Sequence, residues 1–120
     1  NSISMEQNPI AKWPFGAAMI ILLGVAAGAQ DIEIINNLTI VDGEGVVSTG
    51  DRTLNLSIAN DVEPGARLIV KNKTTGTESL IPGEGMRGTT VTGVAGKTKV
   101  VEYVYDGKKF IQTAAAVQID

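Results

Sequence analysis

No histidine and no cysteine occur in these 120 residues. Their absence removes the imidazole base, the thiolate nucleophile and the usual zinc, haem and iron–sulfur ligands. Disulfides are excluded as well, so cysteine usage says nothing about an oxidising or reducing compartment. Aromatic residues make up only 4% of the chain against 43% hydrophobic residues. The interior must therefore be built from Val, Ile, Leu and Ala, whose small side chains make thin cores, and association with further copies is the expected remedy. The net charge is −3, with lysines and arginines scattered along the chain. No cationic stripe is available to neutralise phosphates, and nucleic acid is not an expected partner.

The length suits one domain. Residues 1–30 read as an N-terminal apolar arm or anchor, with 1–4 either a vector remnant or a natural stretch ahead of Met5, and residues 31–120 as a single all-β domain. Lys12, the apolar run from Ala17 to Ala29 and the Ala27-Gly28-Ala29 triplet imitate a signal peptide with a mature start at Gln30. Glu6, Pro9, Pro14 and the bulky Trp13 and Phe15 oppose that reading, and the run is shorter than the roughly 20 residues of a membrane-spanning helix. The expectation is a structural segment shielded by partner subunits or by the domain, with no membrane span.

From Asp31 onward the chain is a series of short β-type runs between glycine turns. Asp31 to Ile35 and Leu38 to Val41 lead to a turn at Asp42-Gly43-Glu44-Gly45. Thr53 to Ala59 is the clearest strand, with Leu54, Leu56 and Ile58 on one face and Asn55 and Ser57 on the other. Glu63-Pro64-Gly65-Ala66 has the order of a type II turn. Strands at Arg67 to Lys73, Glu78 to Ile81, Thr89 to Val94, Lys97 to Tyr105, Lys108 to Thr113 and Val117 to Ile119 follow, and Asp106-Gly107 is the strongest hairpin signal. No window after Asp31 has helical periodicity. The fold class expected is all-β, a small antiparallel β-sandwich or barrel-like roll with an N-terminal apolar arm.

Motifs that carry chemistry elsewhere are weak here. Gly83-Glu84-Gly85-Met86-Arg87-Gly88 matches G-x-G-x-x-G, but β-branched Thr89-Thr90-Val91-Thr92 follows where a helix is needed. Asp42-Gly43-Glu44 and Asp61-Val62-Glu63 place carboxylates two apart without the spacing of a calcium loop, and read as solvated turns. A glycosidase would need two carboxylates about 5 to 10 Å apart and aromatic platforms for sugar rings. Lys97, Lys99, Lys108 and Lys109 gather on the last hairpin, where lysines discourage stray strand pairing. Asn37, Asn55 and Asn72 each head a glycosylation sequon of chance frequency in a chain rich in Asn, Ser and Thr. No catalytic, cofactor or metal residue is nominated.

The order of Trp13-Pro14-Phe15-Gly16-Ala17, Thr49-Gly50-Asp51-Arg52-Thr53-Leu54-Asn55-Leu56, Pro64-Gly65-Ala66, Val91-Thr92-Gly93-Val94-Ala95-Gly96-Lys97-Thr98, Val104-Tyr105-Asp106-Gly107 and Ala116-Val117-Gln118-Ile119-Asp120 resembles small head-fibre or capsid-decorating proteins of tailed phages infecting gut Bacteroidales, including crAss-like phages. The resemblance implies a non-enzymatic structural virion protein on the capsid surface, a homo-oligomer and specifically a homotrimer, bound to phage capsid proteins. Trp13, Phe15, Ile20, Leu22 and Leu23 are the expected oligomer or capsid contacts. The alternative reading is an exported β-sandwich binding module of a bacterial periplasm or cell surface.

Overall fold

The computed structural model describes residues 18–120. Its elements are all strands: β1 (Met19–Leu22), β2 (Gly28–Ile34), β3 (Leu38–Ser48), β4 (Arg52–Ile58), β5 (Arg67–Thr74), β6 (Ser79–Pro82), β7 (Met86–Arg87), β8 (Val91–Thr92), β9 (Thr98–Tyr105), β10 (Phe110–Gln112) and β11 (Val117–Gln118). They form two sheets. Sheet A runs β1-β3-β5-β9-β10-β7 with β11 also on β9, and sheet B runs β2-β4-β6-β8.

Successive strands alternate between the sheets as far as β8, so each pair from β1/β2 to β5/β6 is one coil of a winding chain. The first three coils stack in parallel. Met19 lies opposite Thr39 and Leu38 opposite Arg67 in sheet A, while Gly28 lies opposite Arg52 and Arg52 opposite Leu80 in sheet B. Beyond β6 the winding is closed off: β8 runs antiparallel to β6, β9 antiparallel to β5, and β10 and β11 antiparallel to β9, while β7 lies parallel to β10.

The all-β class holds, but the antiparallel sandwich or barrel-like roll is corrected to a solenoid-like winding dominated by parallel pairs. The cause is physical. A glycine-rich turn can reverse a strand beside itself or carry the chain across to a facing sheet, and the turn chemistry is the same in both cases.

Leu54, Leu68, Val41, Val70, Ile34, Val101, Tyr103 and Phe110 are buried between the sheets. Register aligns them into rungs: Thr39, Leu68 and Tyr103 form one, and Val41, Val70 and Val101 the next. Each large aliphatic side chain contributes about 1.5 to 3 kcal/mol on burial. The rung of Thr39 and Tyr103 carries two buried hydroxyls without a hydrogen-bond partner among the described residues.

Local turn chemistry behaves as its residues dictate. Gly65 has φ +95°, a value glycine adopts without strain, and Ala66 N donates to Glu63 O at 3.0 Å. The Asp106-Gly107 hairpin joins β9 to β10, and the Asp106 carboxylate accepts from Lys108 N and Lys109 N, each at 2.8 Å.

The expected turn at Asp42-Gly43-Glu44-Gly45 is corrected. Those residues lie inside β3, which bulges between Gly43 and Ser48 without reversing. The leader is also more than an arm where it is described: Met19 to Leu22 pair with Thr39 to Asp42, and β2 begins at Gly28 and runs across the expected boundary at residue 30.

Candidate functional site

The two outer sheet faces differ because the strands beneath them are written differently. In sheet B, Asp31-Ile32-Glu33-Ile34 and Leu54-Asn55-Leu56-Ser57 alternate strictly, so Ile32, Ile34, Leu54 and Leu56 enter the interior and Asp31, Glu33, Asn55 and Ser57 face outward. In sheet A, Met19-Ile20-Ile21-Leu22, Leu38-Thr39-Ile40-Val41 and Leu68-Ile69-Val70 do not alternate. Their inward residues fill the core, and their outward residues are apolar too.

The outward rows of sheet A follow from register. One row runs Ile20, Ile40, Ile69, Glu102, and its neighbour runs Leu22, Asp42, Lys71, Val100, Val117; a third runs Leu38, Arg67, Val104, Ile111. At the margins Ile20 is 59% exposed, Leu22 74% and Val117 60%. Two cations of this face, Arg67 and Lys71, are paired within it. Arg67 Nε lies 2.5 Å from Glu102 Oε2, and Lys71 Nζ lies 3.0 Å from Glu44 Oε1 and 3.8 Å from Asp42 Oδ2. The hydrogen bonds to Glu102 and Glu44 raise the Arg67 and Lys71 pKa values above their ordinary ones.

Of the expected contact residues, Ile20 and Leu22 point outward. Leu23 turns into the hydrophobic core, because β1 ends at Leu22 and Leu23 N donates to Asp42 O at 2.9 Å, so it offers no outward contact. Trp13 and Phe15 lie outside the described residues.

Arg52 is the residue that sequence reasoning missed. It falls on the same face of β4 as Leu54 and Leu56 and is fully buried. Its Nε donates to Val25 O at 3.0 Å, Nη1 to Gly43 O at 3.2 Å and to Asn72 Oδ1 at 2.9 Å, and Nη2 to Val46 O. The guanidinium thus satisfies the carbonyls that the β3 bulge and the loop before β2 leave open. Desolvation lowers its pKa from the usual arginine value. The signal was available: an arginine two residues before Leu54 shares that residue's inward direction.

A shallow depression of about 280 Å³ on sheet B is lined by Asp31, Ile32, Glu33, Asn55, Leu56 and Ser57. Asp31 and Glu33 sit two residues apart on one strand, about 7 Å along it, and Asn55 Nδ2 donates to Asp31 Oδ1 at 3.4 Å. The separation is within the glycosidase range, but among the described residues no aromatic ring lines the depression to stack on a sugar. A second depression, about 390 Å³, is lined by Gly88, Thr89, Gln112, Thr113, Ala114 and Ala115. Gln112 Oε1 there accepts from Thr89 N at 2.8 Å.

The other motifs resolve structurally. In the G-x-G-x-x-G match, strand β7 occupies Met86–Arg87 where a helix would have to start. Asp42 and Glu44 stand on a strand in ion pairs with Lys71 and not in a solvated turn. The lysines expected together are separated: Lys97 and Lys99 lie at the start of β9, and Lys108 and Lys109 beyond its far end. Asn72 is buried against Arg52, and Asn37 Oδ1 accepts from Glu63 N at 3.0 Å.

Among the described residues no three acidic side chains converge to hold a metal ion, and no helix is long and apolar enough to cross a membrane. Comparison with protein-family models, with curated proteins and with solved structures finds no match.

Proposed function

We propose that this chain is a structural virion protein, a head fibre or capsid decoration that self-associates and attaches to the phage capsid surface, and that it has no enzymatic activity. The observation that carries this reading is the outward face of sheet A, where Ile20, Leu22, Ile40 and Ile69 line up on three adjacent strands. A winding that leaves such a face outward has surface to cover, and covering surface is what an assembly component does. The ordered likeness to phage head-fibre segments supports the capsid as the setting.

The alternative, an exported bacterial binding module, requires a mature start near Gln30. Cleavage there would remove β1 and the first two residues of β2, uncovering the β3 edge at Thr39 to Asp42. The Gln30 side chain is itself tied back to Val25 O at 3.0 Å.

The test is gradient purification of particles from an infected culture, followed by intact-mass spectrometry and immunogold labelling. The virion reading expects a chain that retains β1, labelled on capsids in a fixed copy number. A chain found only in the host envelope and starting at Gln30 would replace it with the exported module.

A further inference from the structure

Parallel sheets are normally covered on both faces, and their strands then read as continuous apolar runs, whereas a sheet with one wet face alternates. Sheet B alternates and sheet A does not, so the two sheets of one molecule are written for different surroundings. Among the described residues nothing covers the outward rows of sheet A, whose margins at Ile20, Leu22 and Val117 are the most exposed.

We infer that a second copy of this chain covers them, sheet A packing on sheet A. This rests on the assembly role proposed above and names the surface and the partner. Charge selects the partner. The outward charges named on the β2 strand of sheet B, Asp31 and Glu33, are both negative, so two sheet B faces repel. On sheet A, Arg67 is matched by Glu102, and Lys71 by Asp42 and Glu44, within the same copy. With Lys73, which shares the outward direction of Lys71 on β5, three cations stand against the three anions Asp42, Glu44 and Glu102, so two such faces meet without a net like-charge penalty. The apolar rows of Ile20, Ile40 and Ile69 pack against their counterparts as the inner faces of stacked sheets do, about 10 Å apart. Sheet B then faces solvent.

The experiment is size exclusion with light scattering on the 120-residue protein over a dilution series. The expected mass is twice 12.5 kDa. Ile20→Lys and Leu22→Arg each place a charge in the contact and are expected to raise the dissociation constant at least about tenfold, equivalent to about 1.4 kcal/mol. Both side chains are exposed in the protomer, so far-UV circular dichroism should stay unchanged; Glu33→Lys on sheet B should leave the mass unchanged. Because the chain has no cysteine, Leu22→Cys and Glu33→Cys each give a single thiol. In the assembled protein Leu22→Cys should react with a thiol reagent at least about tenfold more slowly than Glu33→Cys.

A monomeric wild type overturns the inference, whether residues 1–17 or a capsid protein then covers the face. So does an oligomer that ignores Ile20→Lys and Leu22→Arg and leaves Leu22→Cys fully reactive. A monomer in solution that is still labelled on purified capsids sinks the second copy while leaving the virion role standing, and absence from particles sinks the role.

Discussion

Arg52 Nη1 and Asn72 Oδ1 stand 2.9 Å apart inside the molecule, joining the second coil to the third through a buried bond. The same guanidinium reaches Val25 O in the segment between β1 and β2, so one side chain ties three consecutive windings together. Arg52→Met should lower stability by about 3 kcal/mol or more, since it takes the donor from Gly43 O, Val46 O and Asn72 Oδ1, while Val25 O keeps its bond from Gln30. Arg52→Lys should fare little better, because an ammonium cannot reach so widely spread a set of acceptors. Asn72→Ala should cost about 1 to 3 kcal/mol. Urea denaturation of the single and double variants gives the coupling, and a value near zero would deny the link.

Gly43 is held tightly from two sides. A Cβ there would lie 2.8 Å from Lys71 O and 2.9 Å from Arg52 Nη1. Gly43→Ala should therefore destabilise the fold by about 1 to 3 kcal/mol. Gly45, two residues on, has nothing within 4 Å of the same position, and Gly45→Ala should fall within about 0.5 kcal/mol of wild type. Thermal melts of the pair read out the difference.

Tyr103 is fully buried, its hydroxyl has no partner among the described residues, and burial pushes its pKa up to about 12. The unfolded chain ionises near pH 10. The stability that comes from keeping this phenol neutral is complete below that pH and is lost as pH rises toward 12. The loss should run at up to about 1.4 kcal/mol per pH unit. Tyr103→Phe should abolish this alkaline component and be neutral or slightly stabilising at pH 7, as measured by denaturation at a series of pH values.

Three carboxylates behave in the opposite sense. Asp106 is lowered by the Lys109 and Lys108 backbone N–H groups, Glu78 by the Thr75 hydroxyl and the Gly76 N–H, and Asp120 by the Thr98 N–H. Their contribution is present above the ordinary carboxylate pKa and is lost as pH falls below about 4 through the depressed folded values. Asp106→Asn and Glu78→Gln should flatten the acid limb of the stability profile. An acid limb unchanged in both variants would remove these turns from the account.

What could be read from the letters was local. The Glu63 to Ala66 turn, the Asp106-Gly107 hairpin and the Leu54, Leu56, Ile58 face each depend on residues within a few positions of one another, and each stands in the structure. Strand direction depends on which distant strand completes the hydrogen bonds, and nothing near Ala59 or Thr75 states whether the chain returns beside itself or crosses over. At β1 the same limit acts on the site. Every residue from Met19 to Leu23 is apolar, so alternation offers no hint that Leu22 faces out and Leu23 is buried. Arg52 is the reverse case: alternation with Leu54 does give its inward direction, but a charge on an otherwise aliphatic face reads as the strand's end and not as part of the core.

The closing hairpin makes the two ends of the winding mechanically unequal. β9 is gripped by β5 along one side and by β10 and β11 along the other, whereas among the described residues β1 holds to β3 alone. Under load or thermal agitation the molecule should therefore fray from its first winding toward its last. Amide exchange should be quickest at Met19 to Leu22 and slowest along Val101 to Tyr103, and a neighbour pressed against the outer rows would guard the very end most prone to peel.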